Sequence, residues 1–200
     1  MRMTFKDYRL VFQVASLGFL LLAAAPGLSL VVSLPRGGEQ FTELWLLGPD
    51  RMAEGYPFNV QVGENYLVYV GLGNHMGGAR YYAVYVKWRN QTEPLPNATT
   101  SMPSTLPMLY EFRALVSEGE TWERPVTFSV LEASHYENSS RVDRLVINNR
   151  TVSVASSATW DSENRGYYYQ LFFELYLYDV AEAQFRFHDR FVGIWLNMTG

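Results

Sequence analysis

Two kinds of chemistry fit the residue types present: carboxylate catalysis and modification of asparagine. The chain of 200 residues has no cysteine, which removes disulfides, thiol nucleophiles, iron–sulfur clusters and cysteine-based zinc sites together. Its three histidines, His75, His135 and His188, are far apart, and only His135-Tyr136-Glu137 and His188-Asp189 bring one near a carboxylate. A zinc site needs three or four ligands, some close in sequence and aimed at one point, so neither a metal nor another cofactor is expected. Glu118, Glu120 and Glu123 cluster ahead of a strand and suggest the paired carboxylates of glycoside hydrolysis, yet Ser117-Glu118-Gly119-Glu120 is also how a solvated turn is written. No Gly-x-Ser-x-Gly elbow occurs. Gly71-Leu72-Gly73 with Gly77-Gly78 misses the dinucleotide spacing, and no helix follows to hold a phosphate. No catalytic residue is expected, and a carbohydrate-active enzyme is the minor alternative.

Asparagine is the more productive signal. Asn-x-Ser/Thr occurs at Asn90, Asn97, Asn138, Asn149 and Asn197, five times where a shuffled chain of this composition would carry about one. All five are candidate N-glycosylation sites, which implies an exported chain. Asn197 is expected to point outward. The aromatics number 12 Phe, 14 Tyr and 5 Trp. Most belong to a core, but Trp195, Tyr176 and Tyr178 fall on the outward phase of their segments and are the candidate surface contacts, able to stack on a sugar or fill a partner's pocket.

These residues need a location and a scaffold. From Leu10 to Leu34 no residue is charged, and roughly 20 apolar residues cross a bilayer core of about 30 Å as a helix. Arg2, Lys6 and Arg9 against Asp7 give residues 1–9 a charge of +2, leaving −6 for the remainder of a chain whose net charge is −4. The positive-inside tendency then keeps residues 1–9 cytoplasmic, makes 10–34 a transmembrane helix and exports 36–200. A cleaved leader with its cut near Ala23-Ala24-Ala25 is the competing reading; Pro26 and the resumed apolar run at Leu28–Val32 favour the anchor. The net negative charge argues against nucleic acid as a partner.

After Pro35 the hydrophobic period is two. Phe58/Val60/Val62, Val126/Phe128/Val130, Leu171/Phe173/Leu175/Leu177 and Val192/Ile194/Leu196/Met198 each line one face of a strand. Tyr66–Val70 and Tyr81–Val86 are apolar on both faces, as central strands are, and the intervening Gly73-Asn74-His75-Met76-Gly77-Gly78 predicts a hairpin. Gly63-Glu64-Asn65 is a turn; 92–107, with four prolines, is a long exposed loop, and 134–141 is a second polar loop. The fold class is all-β, an immunoglobulin-like antiparallel β-sandwich preceded by one N-terminal transmembrane helix. About 165 residues bury roughly 70% of the unfolded chain's surface in one core.

Phe41-Thr42-Glu43-Leu44-Trp45-Leu46-Leu47-Gly48-Pro49, then Ala53–Pro57, Val62-Gly63-Glu64 and Val70-Gly71-Leu72-Gly73-Asn74-His75, resemble the opening of the β-domain in archaeal predicted membrane proteins grouped as domain-of-unknown-function family 1616. Gly119–Glu123, Leu171–Tyr176 and Trp195–Thr199 follow in that family's order, so the resemblance spans about residues 40–199. It implies an archaeal, cell-surface, extracytoplasmic domain and brings no catalytic residue with it. Many members carry several membrane helices ahead of this domain, whereas one fits here. A looser similarity is to adhesion-type sandwich modules.

The expected function is therefore a membrane-anchored, non-catalytic β-sandwich of the cell envelope that binds or assembles with envelope proteins or glycans, with homo-oligomers open. A filament or surface-lattice subunit is the structural alternative.

Overall fold

A computed structural model describes residues 39–199 together with residues 12, 13, 15–17 and 19. The six N-terminal positions are helical, and the Ser16 hydroxyl donates back to the Phe12 carbonyl at 2.8 Å. Most of the span expected over 10–34 lies outside the described residues, and among the described residues no helix is long and apolar enough to cross a membrane.

Alternating apolar residues and β-branched runs give ten strands among the described residues: β1 (Phe41–Leu47), β2 (Asn59–Val60), β3 (Tyr66–His75), β4 (Arg80–Asn90), β5 (Tyr110–Val116), β6 (Thr121–Tyr136), β7 (Ser139–Ile147), β8 (Arg150–Thr159), β9 (Tyr168–Asp179) and β10 (Gln184–Met198). They form two five-stranded sheets, β1-β3-β6-β7-β8 and β2-β10-β9-β4-β5. Every pairing is antiparallel except β2 with β10. The inner faces meet in one core built from Val68, Val70, Leu72, Val126, Phe128 and Val130 of the first sheet against Val84, Val86, Leu171, Phe173, Leu175 and Leu196 of the second. The all-β sandwich stands as expected, antiparallel but for one short edge.

Three local expectations are corrected. Residues 76–79 do not close a hairpin: β3 and β4 belong to different sheets, so this segment is an arch across the end of the sandwich. Glycine supplies positive φ equally to hairpins and arches, and Gly77 has φ 75° here. Residues 134–141 are not a loop. β6 and β7 run through them and turn at Glu137-Asn138 alone. Phe58 to Val62 keeps only two residues in a ladder, with Val60 buried while Phe58 and Val62 are exposed.

β9 departs from one-sided alternation because both of its faces are covered. Residues 169–176 are all buried. The inner phase meets the opposite sheet, and the outer phase is shielded in part by residues 91–109, in which Pro96, Ser104 and Leu109 are buried although most of the loop is exposed. Gly193 on β10 serves the same layer: a Cβ there would sit 2.8 Å from the Phe172 Cβ, so only glycine lets that ring lie against the strand.

Candidate functional site

Trp195 stands on the outward phase of β10, with Leu196 and Ile194 buried on the other side. Cross-strand pairing sets it in a row with Gln170 of β9 and Arg89 of β4. The Arg89 guanidinium lies 5.2 Å from the Trp195 ring centre and is itself tied down, donating to the carbonyls of Asn90 at 2.9 Å and Gln91 at 3.1 Å. A cation over one region of the ring fixes the indole while 41% of the residue stays open to solvent.

Two grooves share this tryptophan and Phe58. One, of about 430 Å³, runs along β10 between Val192 and Trp195 and is closed by Leu46, Tyr56 and Pro57. Tyr56 is held there by its hydroxyl, which donates to the Leu46 carbonyl at 2.7 Å. The other, of about 340 Å³, is lined by Phe58, Gln91, Asp161, Asn164, Tyr168 and Trp195. Phe58 and Tyr168 are 6.1 Å apart as tilted rings. Asp161 accepts from the backbone N–H groups of Glu163 at 2.9 Å and Asn164 at 3.0 Å and from the Asn164 amide at 2.9 Å. The Asn164 side-chain bond, then its backbone N–H, hold the Asp161 carboxyl below its ordinary range, so it remains an ionised acceptor. Ring faces beside fixed amides and a carboxylate suit a ligand that is apolar on its faces and hydroxylated at its edges.

Of the three aromatics expected at the surface, Trp195 alone is exposed. Tyr176 is buried: its ring packs 4.1 Å from Tyr85, and its hydroxyl donates to Glu174 at 2.8 Å. Tyr178 is half-buried against Phe185, 5.2 Å away, and Tyr81. Asn197 also departs from expectation, with only 8% of it exposed. The register is as read, but β2 adds to this end of β10 in parallel, which a face assignment from β10 alone does not contain. Asn197 donates through Nδ2 to Asn59 at 3.0 Å and accepts from the Tyr167 N–H at 3.1 Å. The remaining sequons divide. Asn90 is half-buried, while Asn97, Asn138 and Asn149 are exposed.

The carboxylate cluster is not a cleft. Glu118 and Glu120 are exposed on the β5–β6 turn, where Glu118 accepts from the Gly78 N–H at 3.1 Å, and Glu123 lies 3.5 Å from Arg51. Among the described residues no three His, Asp or Glu side chains gather as metal ligands.

Two buried polar constellations escaped the sequence reading. On the outer face of the second sheet, Lys87 Nζ is 2.8 Å from Glu174 and donates to the Ser104 carbonyl at 2.7 Å, while the Ser104 N–H donates to Glu174 at 2.8 Å. Burial, then the Glu174 carboxylate, push the Tyr176 phenol far above its ordinary value, so it stays a donor. A lone charge of each sign inside two apolar strand runs was the available signal. Between the sheets, the Thr42 hydroxyl joins His188 Nε2 at 3.0 Å to the Tyr82 hydroxyl at 3.1 Å, and Tyr82 donates to Asn74 at 3.0 Å. Thr42, Asn74 and Tyr82 are fully enclosed.

His188 gives this end of the sandwich a pH dependence. Burial chiefly, and Arg190 next, lower its pKa from 6.5, with Asp189 opposing. A depressed folded pKa means the unfolded chain binds the proton more readily, so this stability is complete above pH 6.5 and is lost as pH falls below it. The urea midpoint of the full chain is expected to be lower at pH 5.5 than at pH 7.5, and His188→Gln to narrow that difference. An unchanged difference in the variant would assign it to other groups.

A family model described as domain of unknown function (DUF1616) matches residues 35–138, ending at the β6–β7 turn; the Leu171–Tyr176 and Trp195–Thr199 pieces of the resemblance lie beyond it. No curated protein matches the chain. Among solved structures, the CARDB domain of a Pyrococcus furiosus protein, in complex with di-metal ions, aligns with 84% of this chain and 95% of its own at 8% identity and a TM-score of 0.41. A β-glucosidase from Listeria innocua in complex with glucose aligns with 80% of this chain at 10% identity and a TM-score of 0.40, and the aligned part is 16% of the glucosidase.

Proposed function

Because the chain belongs to domain-of-unknown-function family 1616, whose name carries no chemistry, we propose from its own groove that it is a non-catalytic, membrane-anchored binding module outside the cytoplasm that holds a saccharide of the cell envelope. The observation that carries this reading is Trp195: a large ring, 41% exposed, braced by Arg89 and shared by two grooves. Burying that ring in a ligand contributes the apolar term, and Gln91, Asp161 and Asn164 supply donors and acceptors for hydroxyl groups. The charge-free run 10–34 and the charge asymmetry around it support the anchor and its orientation. An archaeal envelope is the setting that the family resemblance suggests. The lattice-subunit reading has less support, since edge strand β8 is broken by Ala155 at φ 47° and a register shift near Val142, and such irregular edges discourage strand addition.

Native electrophoresis of the full chain through gels containing soluble neutral polysaccharides tests the reading. The wild type is expected to be retarded by at least one of them. Trp195→Ala should weaken that binding roughly tenfold or more, since about 1.4 kcal/mol is a factor of ten, while the urea midpoint stays close to wild type. Free migration of the wild type in every gel would overturn saccharide binding. Protease shaving of intact cells tests the orientation independently.

A further inference from the structure

We propose that only three of the five sequons, Asn97, Asn138 and Asn149, carry N-linked glycans, and that Asn90 and Asn197 are structural asparagines with sequon sequences by coincidence. This rests on the extracytoplasmic reading above. The reaction joins the asparagine Nδ2 to the anomeric carbon of an oligosaccharide carried on a lipid phosphate. The carbon–oxygen bond to the phosphate breaks, the lipid phosphate leaves with the bonding electrons, and one Nδ2 proton passes to a base of the transferase. The acceptor nitrogen must therefore be reachable in a chain that can still complete its fold with the sugar attached.

The three proposed sites meet both conditions. Asn138 and Asn149 occupy two-residue turns at the β6–β7 and β7–β8 connections, both exposed, and Asn149 has φ 64° beside Asn148 at 46°. Paired positive φ values at a two-residue hairpin turn hold the side chain on a projecting tip. Asn97 sits in the exposed stretch of the 91–109 loop. Its Oδ1 accepts from the N–H groups of Thr99 at 2.9 Å and Thr100 at 3.1 Å, and its Nδ2 makes no hydrogen bond among the described residues. A polar glycan at each of these exposed positions extends into solvent and displaces no Nδ2 hydrogen bond among the described residues.

The other two do not. Asn197 Nδ2 donates to Asn59 across the β2–β10 pair, and the Gly166 backbone lies so close that even an added Cβ would collide with the Asn197 amide. Asn90 is half-buried at the end of β4. Its Nδ2 donates to the Ser157 carbonyl of β8 at 2.8 Å, its Oδ1 accepts from the Thr92 N–H at 2.8 Å, the Thr92 hydroxyl at 2.9 Å and the Glu93 N–H at 3.0 Å, and Gln91 donates to the Thr159 carbonyl alongside at 2.7 Å. A chain glycosylated at either position before folding could not close these contacts around the sugar.

Site-resolved mass spectrometry of the full chain purified from its native membranes tests the assignment. Glycan mass is expected on the peptides holding Asn97, Asn138 and Asn149, and unmodified peptides for Asn90 and Asn197. Asn97→Gln, Asn138→Gln and Asn149→Gln should each remove one glycoform step on a gel, whereas Asn90→Gln and Asn197→Gln should remove none. Glycan on Asn90 or Asn197 in folded protein overturns the proposal. So does a bare chain, and protease shaving then separates the causes. A bare domain digested on intact cells lies outside, so the accessibility argument fails; a bare domain protected there means the extracytoplasmic reading itself fails.

Discussion

Glu174→Ala is expected to cost about 3–5 kcal/mol of unfolding free energy, the usual effect of removing one member of a buried ion pair. Glu174 has no solvent exposure and receives three groups: the Lys87 ammonium, the Ser104 N–H and the Tyr176 hydroxyl. With alanine there, Lys87 keeps a single carbonyl partner, that of Ser104, for a charge already out of water. The pair itself is worth far less than its disruption, because desolvation offsets most of the attraction. Lys87→Met combined with Glu174→Leu should be milder than the single variant, because no lone charge stays buried, but it should remain below wild type, because the Ser104 N–H and carbonyl and the Tyr176 hydroxyl lose their partners. The single variant should also loosen the 91–109 loop, whose Ser104 backbone is held to the sheet by these two side chains, and increase its cleavage by protease. Urea unfolding followed by tryptophan fluorescence makes the comparison. A loss below about 1 kcal/mol in the single variant would mean that water reaches Lys87 and that the loop does not seal this face.

Strand faces were legible because burial of one side imposes a period of two, and Val126/Phe128/Val130 and Leu171/Phe173/Leu175 fall inward accordingly. Which sheet each strand joins was not. The Gly77-Gly78 segment satisfies the backbone demands of a hairpin and of an arch alike, and the choice depends on β6 and β9, which flank β3 and β4 from far along the chain. Outer-face burial was equally hidden, because it comes from a proline-rich loop that composition alone reads as exposed. Lys87 and Glu174 were the residues that could have revealed it: a charge inside Tyr85-Val86-Lys87-Trp88 or Phe173-Glu174-Leu175 is costly unless something covers and pairs it.

The candidate site was legible only in part for a related reason. Trp195 follows from the phase of its own strand. Phe58, Gln91, Asp161 and Tyr168 come from separate segments, and only the packing of β2, β4, β9 and β10 brings them to one groove. Local patterns assign faces but not neighbours. Tyr176 and Asn197 were misplaced because each has a neighbour from outside its own strand, Tyr85 on one side of the sheet and Asn59 at its edge.

Asn74→Ala is the second large effect expected, on the order of 3–4 kcal/mol, from several buried groups left without partners at about 1–3 kcal/mol each and not fully additive. Asn74 ends the Gly71-Leu72-Gly73-Asn74 run and has no exposure. Its Nδ2 donates to the carbonyls of Gly78 and Val116, both at 2.8 Å, and its Oδ1 accepts from the Met76 N–H at 3.1 Å and the Tyr82 hydroxyl at 3.0 Å. One side chain thus fixes the arch, ties it to β5 of the other sheet and anchors the Thr42–His188 chain. Tyr82→Phe keeps the ring and removes one of those four bonds together with the Tyr82–Thr42 bond, so it should cost about 1–3 kcal/mol, two buried hydrogen bonds at about 0.5–1.5 kcal/mol each. Asn74→Asp should be at least as damaging as alanine, because a carboxylate would face the Gly78 and Val116 carbonyls with no proton to offer either. The order Tyr82→Phe, then Asn74→Ala, with Asn74→Asp no milder, is read from urea midpoints of the full chain at pH 7.5, where His188 is neutral in both states. Should Asn74→Ala cost no more than Tyr82→Phe, the arch is held by its glycines and by β6 rather than by this amide.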